Sequence, residues 1–190
     1  MSFISVIAKE KFITVMCDNG AAAGSEHTPQ PEEQVVKVGE REFIAIAGGD
    51  PEARAVIVKH VKDLLVEGTP YDRILVILQM TLSGFSEKGK SIMTAFGGVN
   101  TNGDVEVCTY DHNSHAERQL KPRGSEVAYF FLAEGAGKYG NLYEMLQNFW
   151  KETGTDTPSA MIQSQKLLNR YVASKDEDVN AATFKLVLKK

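Results

Sequence analysis

Ser2 stands directly behind Met1, at the head of MSFISVIAKEKFITVMCDNGAA, and a small hydroxyl there has two readings. In one it is a nucleophile that needs only the loss of one methionine to free its amino group. In the other it is an ordinary solvated start to a strand. Few other residues compete for chemistry. Asp111, His112 and His115 in DHNSH could donate to a metal, but nothing else in the chain completes a ligand set, so a polar loop after a strand is the better account and no metal is expected. Cys17 lies inside a strand with no base beside it in sequence and reads as a small buried hydrophobe. His60 recurs with the apolar face of its helix and reads as a packed histidine. The glycines of AFGGVN and AIAGGD lack the full spacing of a nucleotide fingerprint, so no cofactor is expected.

Composition narrows the classes further. The chain has 190 residues, enough for one domain over 1–190 that buries roughly 70% of its unfolded surface. Its formal net charge of −4 and mixed-sign charged residues provide no basic stripe for nucleic acid. No run approaches the apolar length of a membrane span, and the start lacks the basic-then-apolar layout of a signal peptide, so the mature protein is expected to begin at or next to Met1. Two cysteines without paired or metal-like spacing fit a reduced, cytoplasmic setting.

The elements that would position Ser2 follow from periodicity. FISVIAK and FITVMCD alternate around Glu10 and Lys11, and VVKV and FIAIAG flank GERE, which predicts two hairpins. Between them AAAGSEHTPQPEEQ, with its Gly, Ser and prolines, reads as an exposed loop over 21–34. Asp50 before Pro51 starts a helix bearing Val56, Ile57, His60, Val61, Leu64 and Leu65, and Thr69-Pro70 starts a second. Strands return in SIMTAFGGVN and DVEVCTYD around Asn102-Gly103, a strong hairpin signal. EVAYFFLAEGAG follows the polar stretch HNSHAERQLKPRGS. Helices are predicted from about Lys138 to Lys151 and from Pro158, after Thr157, to about Ala173, and ATFKLVLKK closes as a strand. The stripe of Leu142, Met145, Leu146, Phe149 and Trp150 is either core or a face met by a neighbouring subunit. Four strands, two helices, two or three strands, two helices and a strand make an α+β chain. FIAIAG is apolar on both parities, which predicts strands covered on both faces, hence a four-layer αββα sandwich of two mainly antiparallel sheets.

With these motifs in this order, the N-terminal hairpin ending in an aspartate, KVGEREFIAIAGGDPEA, SIMTAFGGVNTNGDVEVCTYD and FFLAEGAG, the whole chain resembles the proteasome-subunit group of N-terminal nucleophile hydrolases. The resemblance implies that Ser2, once Met1 is removed, attacks a peptide carbonyl while its own α-amine, whose ordinary pKa is about 7.7 to 8.0, takes up the proton. It implies a positioning role for Asp18, which is otherwise a structural hairpin-end residue bonding backbone amides. It makes Gly48 the backbone donor of an oxyanion hole, and Asp178 the aspartate that contacts the N-terminal residue, where the plain reading is a solvated acidic turn. It also implies self-association into a ring or dimer and a peptide or protein substrate.

Departures from the family pattern cut the other way. Its catalytic lysine falls at Gln34, which carries no charge to lower a neighbour's pKa, and Lys37, three residues on, should point to the opposite face. Ala136 and Ala181 stand where supporting serines are expected. Two functions follow: a peptide or amide hydrolase with an incomplete catalytic set, or a catalytically degenerate homo-oligomeric scaffold or binding protein of the same fold.

Overall fold

A computed structural model of the chain describes residues 3–18, 34–49, 51–86, 91–111, 116–133, 135–154 and 156–190. Strands β1 (Ile4–Lys9) and β2 (Phe12–Asp18) form the first hairpin, and β3 (Val35–Lys37) and β4 (Glu42–Gly48) the second. Helices α1 (Pro51–Val66) and α2 (Tyr71–Ser86) follow, then β5 (Ile92–Val99), β6 (Val105–Asp111), β7 (Ala116–Leu120) and β8 (Ala128–Leu132). A 3-10 turn (Ala136–Tyr139), α3 (Leu142–Thr153), α4 (Pro158–Ala173) and β9 (Thr183–Lys189) complete the chain. One sheet runs β8-β1-β2-β9, the other β3-β4-β5-β6-β7, and every paired neighbour is antiparallel.

The period of two in the strands sorts their side chains into layers. Ile4, Val6 and Ala8 of β1, Ile13, Val15 and Cys17 of β2, and Phe43, Ala45 and Ala47 of β4 meet between the sheets, with Val107, Phe130 and Leu132. The alternate residues of β4, Ile44 and Ile46, face Ile57, Val61, Leu64, Ile74 and Leu78 of α1 and α2. On the other outer face Phe3, Ile7 and Phe12 pack with Leu142 and Leu146 of α3 and Met161, Leu168 and Val172 of α4. This is the αββα sandwich, and it explains why FIAIAG is apolar on both parities: one parity serves the inter-sheet core, the other the helices.

Local signals fall where their chemistry requires. Asn100 folds the β5–β6 turn by accepting from the N–H groups of Asn102 and Asp104, while Gly103 takes φ 79°. Thr157 caps α4 by accepting from the Ala160 N–H, with Pro158 in the first turn. Asp50 lies outside the described residues.

Two expectations need correction. Four strands, not two or three, follow α2, because AERQL, inside the stretch expected to be merely polar, forms the edge strand β7. Glu117, Arg118, Gln119 and Leu120 are all exposed, so no apolar period marks it, and its charges suit an edge that must not recruit another chain. The helix expected from Lys138 begins instead at Leu142. Gly140, at φ 78°, separates the 3-10 turn from α3, whose first turn is capped by Asn141 accepting from the Glu144 N–H.

Candidate functional site

Two hydrogen bonds fix the entry to β1. The Phe3 N–H donates to Asp18 Oδ1 at 2.9 Å, and the Asp18 N–H donates to the Phe3 carbonyl at 3.2 Å. Asp18 is fully buried, and a carboxylate held by backbone N–H groups away from water is a rigid fastener. Its Oδ2 lies 3.5 Å from the Asn180 N–H, so the turn before β9 approaches the same carboxylate. Ser2, the residue before Phe3, lies outside the described residues, as do the 21–33 part of the expected exposed loop and His112 and His115. Cys17 adjoins Asp18 on the inter-sheet side. Burial, with the neighbouring Asp18 charge, pushes its thiol up to about 12, which keeps it protonated and inert, in accord with its reading as a buried hydrophobe.

Gly48 ends β4. Its φ of 78° favours glycine, and a Cβ there would lie 2.2 Å from the Ser91 carbonyl oxygen, so backbone packing alone demands this residue. Arg54 of α1, itself buried, donates through Nη1 to the carbonyls of Gly48 at 3.1 Å and Gly49 at 2.8 Å, and this fixes the turn where β4 leaves the sheet. Asp18 and Gly48 therefore occupy the ends of strands whose preceding residues, Cys17 and Ala47, share the inter-sheet core. Gln34 is buried, with 1% exposure, beside that core, whereas Lys37 is exposed, so no lysine charge replaces the amide from Lys37.

The C-terminal acidic turn is organised by Asp176 rather than by Asp178. Asp178 is exposed, and its N–H donates to Asp176 Oδ1 at 3.1 Å. Asp176 is buried and its Oδ2 accepts from the Tyr139 hydroxyl and the Lys138 ammonium, both at 2.6 Å. Burial works against its ionisation, but the hydrogen bonds from Lys138, Tyr139 and the Asp178 N–H outweigh it and hold its carboxyl below the ordinary value. Burial, and then the bond to Asp176, push the Tyr139 phenol up to about 12. The Tyr139 ring meets Phe3 edge-on, 6.2 Å between centroids, and Phe131 stacks on Phe3 at 6.2 Å, so this cluster braces the same N-terminal strand. Sequence reasoning missed Asp176, Lys138, Tyr139 and Arg54. In KDEDV nothing local distinguishes the inward carboxylate, whereas Arg54, a charge among the inward positions of α1, was the one readable signal.

A cleft of about 390 Å³ opens where these strands end. Met93, which pairs with Ala47, and Leu132, which pairs with Ile4, line it with Phe130, Thr109, Arg118 and Asn141. Elsewhere, His60 is half-buried on α1, and the stripe on α3 packs Leu142 and Leu146 into the core with Trp150 half-buried at its edge. Among the described residues no cluster of three His, Cys, Asp or Glu side chains could hold a metal, and no helix is long and apolar enough to cross a membrane.

No protein-family model matches the chain, and no curated protein does. Solved structures do. The crystal structure of eukaryotic HslV from Trypanosoma brucei is similar to this chain with a TM-score of 0.63, covering 99% of each chain at 10% sequence identity. At that identity the likeness speaks for the path of the backbone rather than for any side chain. Over the part of the chain that the likeness covers, the backbone has the fold of the proteasome-subunit-like N-terminal nucleophile hydrolases.

Proposed function

We propose that the protein is an N-terminal nucleophile hydrolase of peptide or other amide bonds, with Ser2 as the nucleophile after removal of Met1. The observation that carries this reading is the pair of hydrogen bonds between Phe3 and buried Asp18, which hold rigid the residue that follows Ser2. The reading requires Ser2 to share the inward phase of Ile4 and Val6 and so to reach the space near Gly48.

In the reaction the Ser2 α-amine takes the proton from Oγ as Oγ attacks the carbonyl carbon. The Gly48 N–H donates to the oxygen that becomes negative. The C–N bond then breaks, the leaving amine departs with the proton held by the ammonium, and an ester to Ser2 remains. Water, deprotonated by the same amine, attacks the ester, releases the acid and restores Ser2. Asp18 acts as a positioning residue for the strand. Asp178, exposed, would contribute only through the turn it shares with Asp176 and Asn180.

One observation favours the second reading, a catalytically degenerate scaffold or binding protein. Gln34 is buried where the resemblance places a lysine, so a positive charge that would ease deprotonation is missing at that position. Under either reading the chain self-associates, as a ring or a dimer, and peptides or proteins are its partners.

The test is hydrolysis of a panel of fluorogenic peptide amides by full-length protein whose intact mass shows Met1 removed. Activity that is lost in S2A and kept in part in S2T or S2C supports the hydrolase. Activity unchanged in S2A, or none in protein with a free Ser2 amine, overturns it in favour of the scaffold.

A further inference from the structure

The cleft at the strand ends holds polar groups for which hydrolysis at Ser2 has no use. Thr109 of β6 and Arg118 of β7 are directly opposite each other in the antiparallel ladder, so their side chains leave the same face of the sheet as neighbours, and both line the cleft. Thr109 is buried to all but 9% of its surface, and its hydroxyl makes no hydrogen bond to another described residue. Among the described residues the Arg118 guanidinium has one hydrogen-bond partner, the Tyr143 hydroxyl at 3.5 Å, and none of their carboxylates lies within ion-pair distance of it. A fork of N–H donors beside an unengaged hydroxyl matches the two oxygens of a carboxylate. The N-terminus of α3, at Asn141 and Leu142, forms another wall and adds the positive end of a helix dipole.

The rest of the lining is apolar: Phe130 and Leu132 come from β8 of the facing sheet, and Met93 of β5 lies beside Asp111, its partner in the ladder. Asp111, diagonal to Arg118 across the β6–β7 pair, also lines the cleft, and because its repulsion grows with the charge of the ligand it disfavours polyanions such as phosphate esters more than a single carboxylate. A volume of about 390 Å³ suits a small ligand of one or two residues.

We infer that this cleft binds the carboxylate end of a short peptide or N-acyl amino acid, with the carboxylate on Arg118 and Thr109 and an apolar side chain against Met93, Phe130 and Leu132. That such a ligand is a substrate rests on the hydrolase reading; that it binds does not. The hydrolase would then be selective for amides that carry a free carboxylate close to the bond cut.

The experiment is calorimetric titration of the full chain with N-acetyl-leucine and with N-acetyl-leucinamide, which differ only in the carboxylate. The acid should bind on the order of tenfold or more tightly than the amide, as a charge-assisted pair with arginine warrants. R118Q should bring the acid down to the affinity of the amide, T109V should weaken the acid several-fold, and S2A should leave the preference intact. Arg118 is exposed, so R118Q is expected to melt at the temperature of the parent protein. Equal binding of acid and amide, binding of neither, or a preference that survives R118Q overturns the inference. A preference kept in protein that never cleaves a peptide amide overturns the hydrolase reading alone and leaves the cleft as a binding site.

Discussion

Asp18 decides how firmly the chain begins. Its carboxylate is the acceptor for the Phe3 N–H in a place with no access to water, so D18A leaves that donor buried without its acceptor and should cost about 1–3 kcal/mol in urea unfolding. D18N keeps an oxygen at the same position and should cost less. If D18A unfolds at the parent's urea midpoint, the fastener is not one. Asp176 supports the same strand from outside, and its effect depends on pH. Its folded carboxyl is held below the ordinary value of 3.8, so the unfolded chain binds the proton first on acidification. The stability it contributes is therefore complete above that ordinary value and is lost as the pH falls through the lowered folded one. The gap in urea midpoint between the parent and D176N should be widest near about pH 5 and narrow toward about pH 2. A gap that does not change with pH would mean that Asp176 acts by shape rather than charge. Residues of this kind are poorly legible in sequence. Asp18 could be singled out because it ends a hairpin that begins two residues after Met1, but Asp176, Glu177 and Asp178 are chemically alike, and only Lys138 and Tyr139, arriving from almost forty residues away, make one of them the inward group.

At the scale of elements, one buried polar side chain adds hydrogen bonds to the apolar packing of α4 on the first sheet. Gln165 Nε2 donates to the Ser5 carbonyl at 2.9 Å and Ser5 Oγ at 3.1 Å, with the Thr14 carbonyl at 3.4 Å, so a helix amide reaches across β1 and β2 together. Gln165 is fully buried, and Q165A removes these bonds and opens a void. A loss of about 2–4 kcal/mol is expected, with faster amide exchange in α4 and β1 but not in α1 or α2, which pack on the other sheet. Uniform acceleration through all four helices would contradict the layered packing. Most elements were legible because their signals are local: Asn102-Gly103, Thr157-Pro158 and the two-parity apolar run of FIAIAG each state their own conformation. AERQL was not, since an edge strand solvated along its side chains owes its shape to the ladder with β6 and to nothing in its own pattern. The start of α3 is hidden for a related reason, because the interruption at Gly140 is a single backbone conformation inside an otherwise helical run.

At the scale of the molecule, two sheets face each other through a dry core and each is covered outside by a pair of helices, so the ends of β1, β2 and β4 are gathered at one side by the same packing that stabilises the fold. Fold and site differ in what they demand of the sequence. Layers need only the right periods and volumes, which is how a chain at 10% identity follows the backbone path of HslV, whereas catalysis needs particular groups at particular points, which a shared backbone path does not supply. The central claim is that the residue at the head of β1 acts as both nucleophile and base. The most direct measurement is the mass of the N-terminal peptide after treatment with a peptide α′,β′-epoxyketone, a reagent that closes a ring only where a hydroxyl and a free α-amine belong to one residue. The account predicts a peptide without Met1 that carries the whole mass of the reagent, and no such adduct in S2A. Quantitative retention of Met1, or an unmodified N-terminal peptide from folded protein, would contradict it.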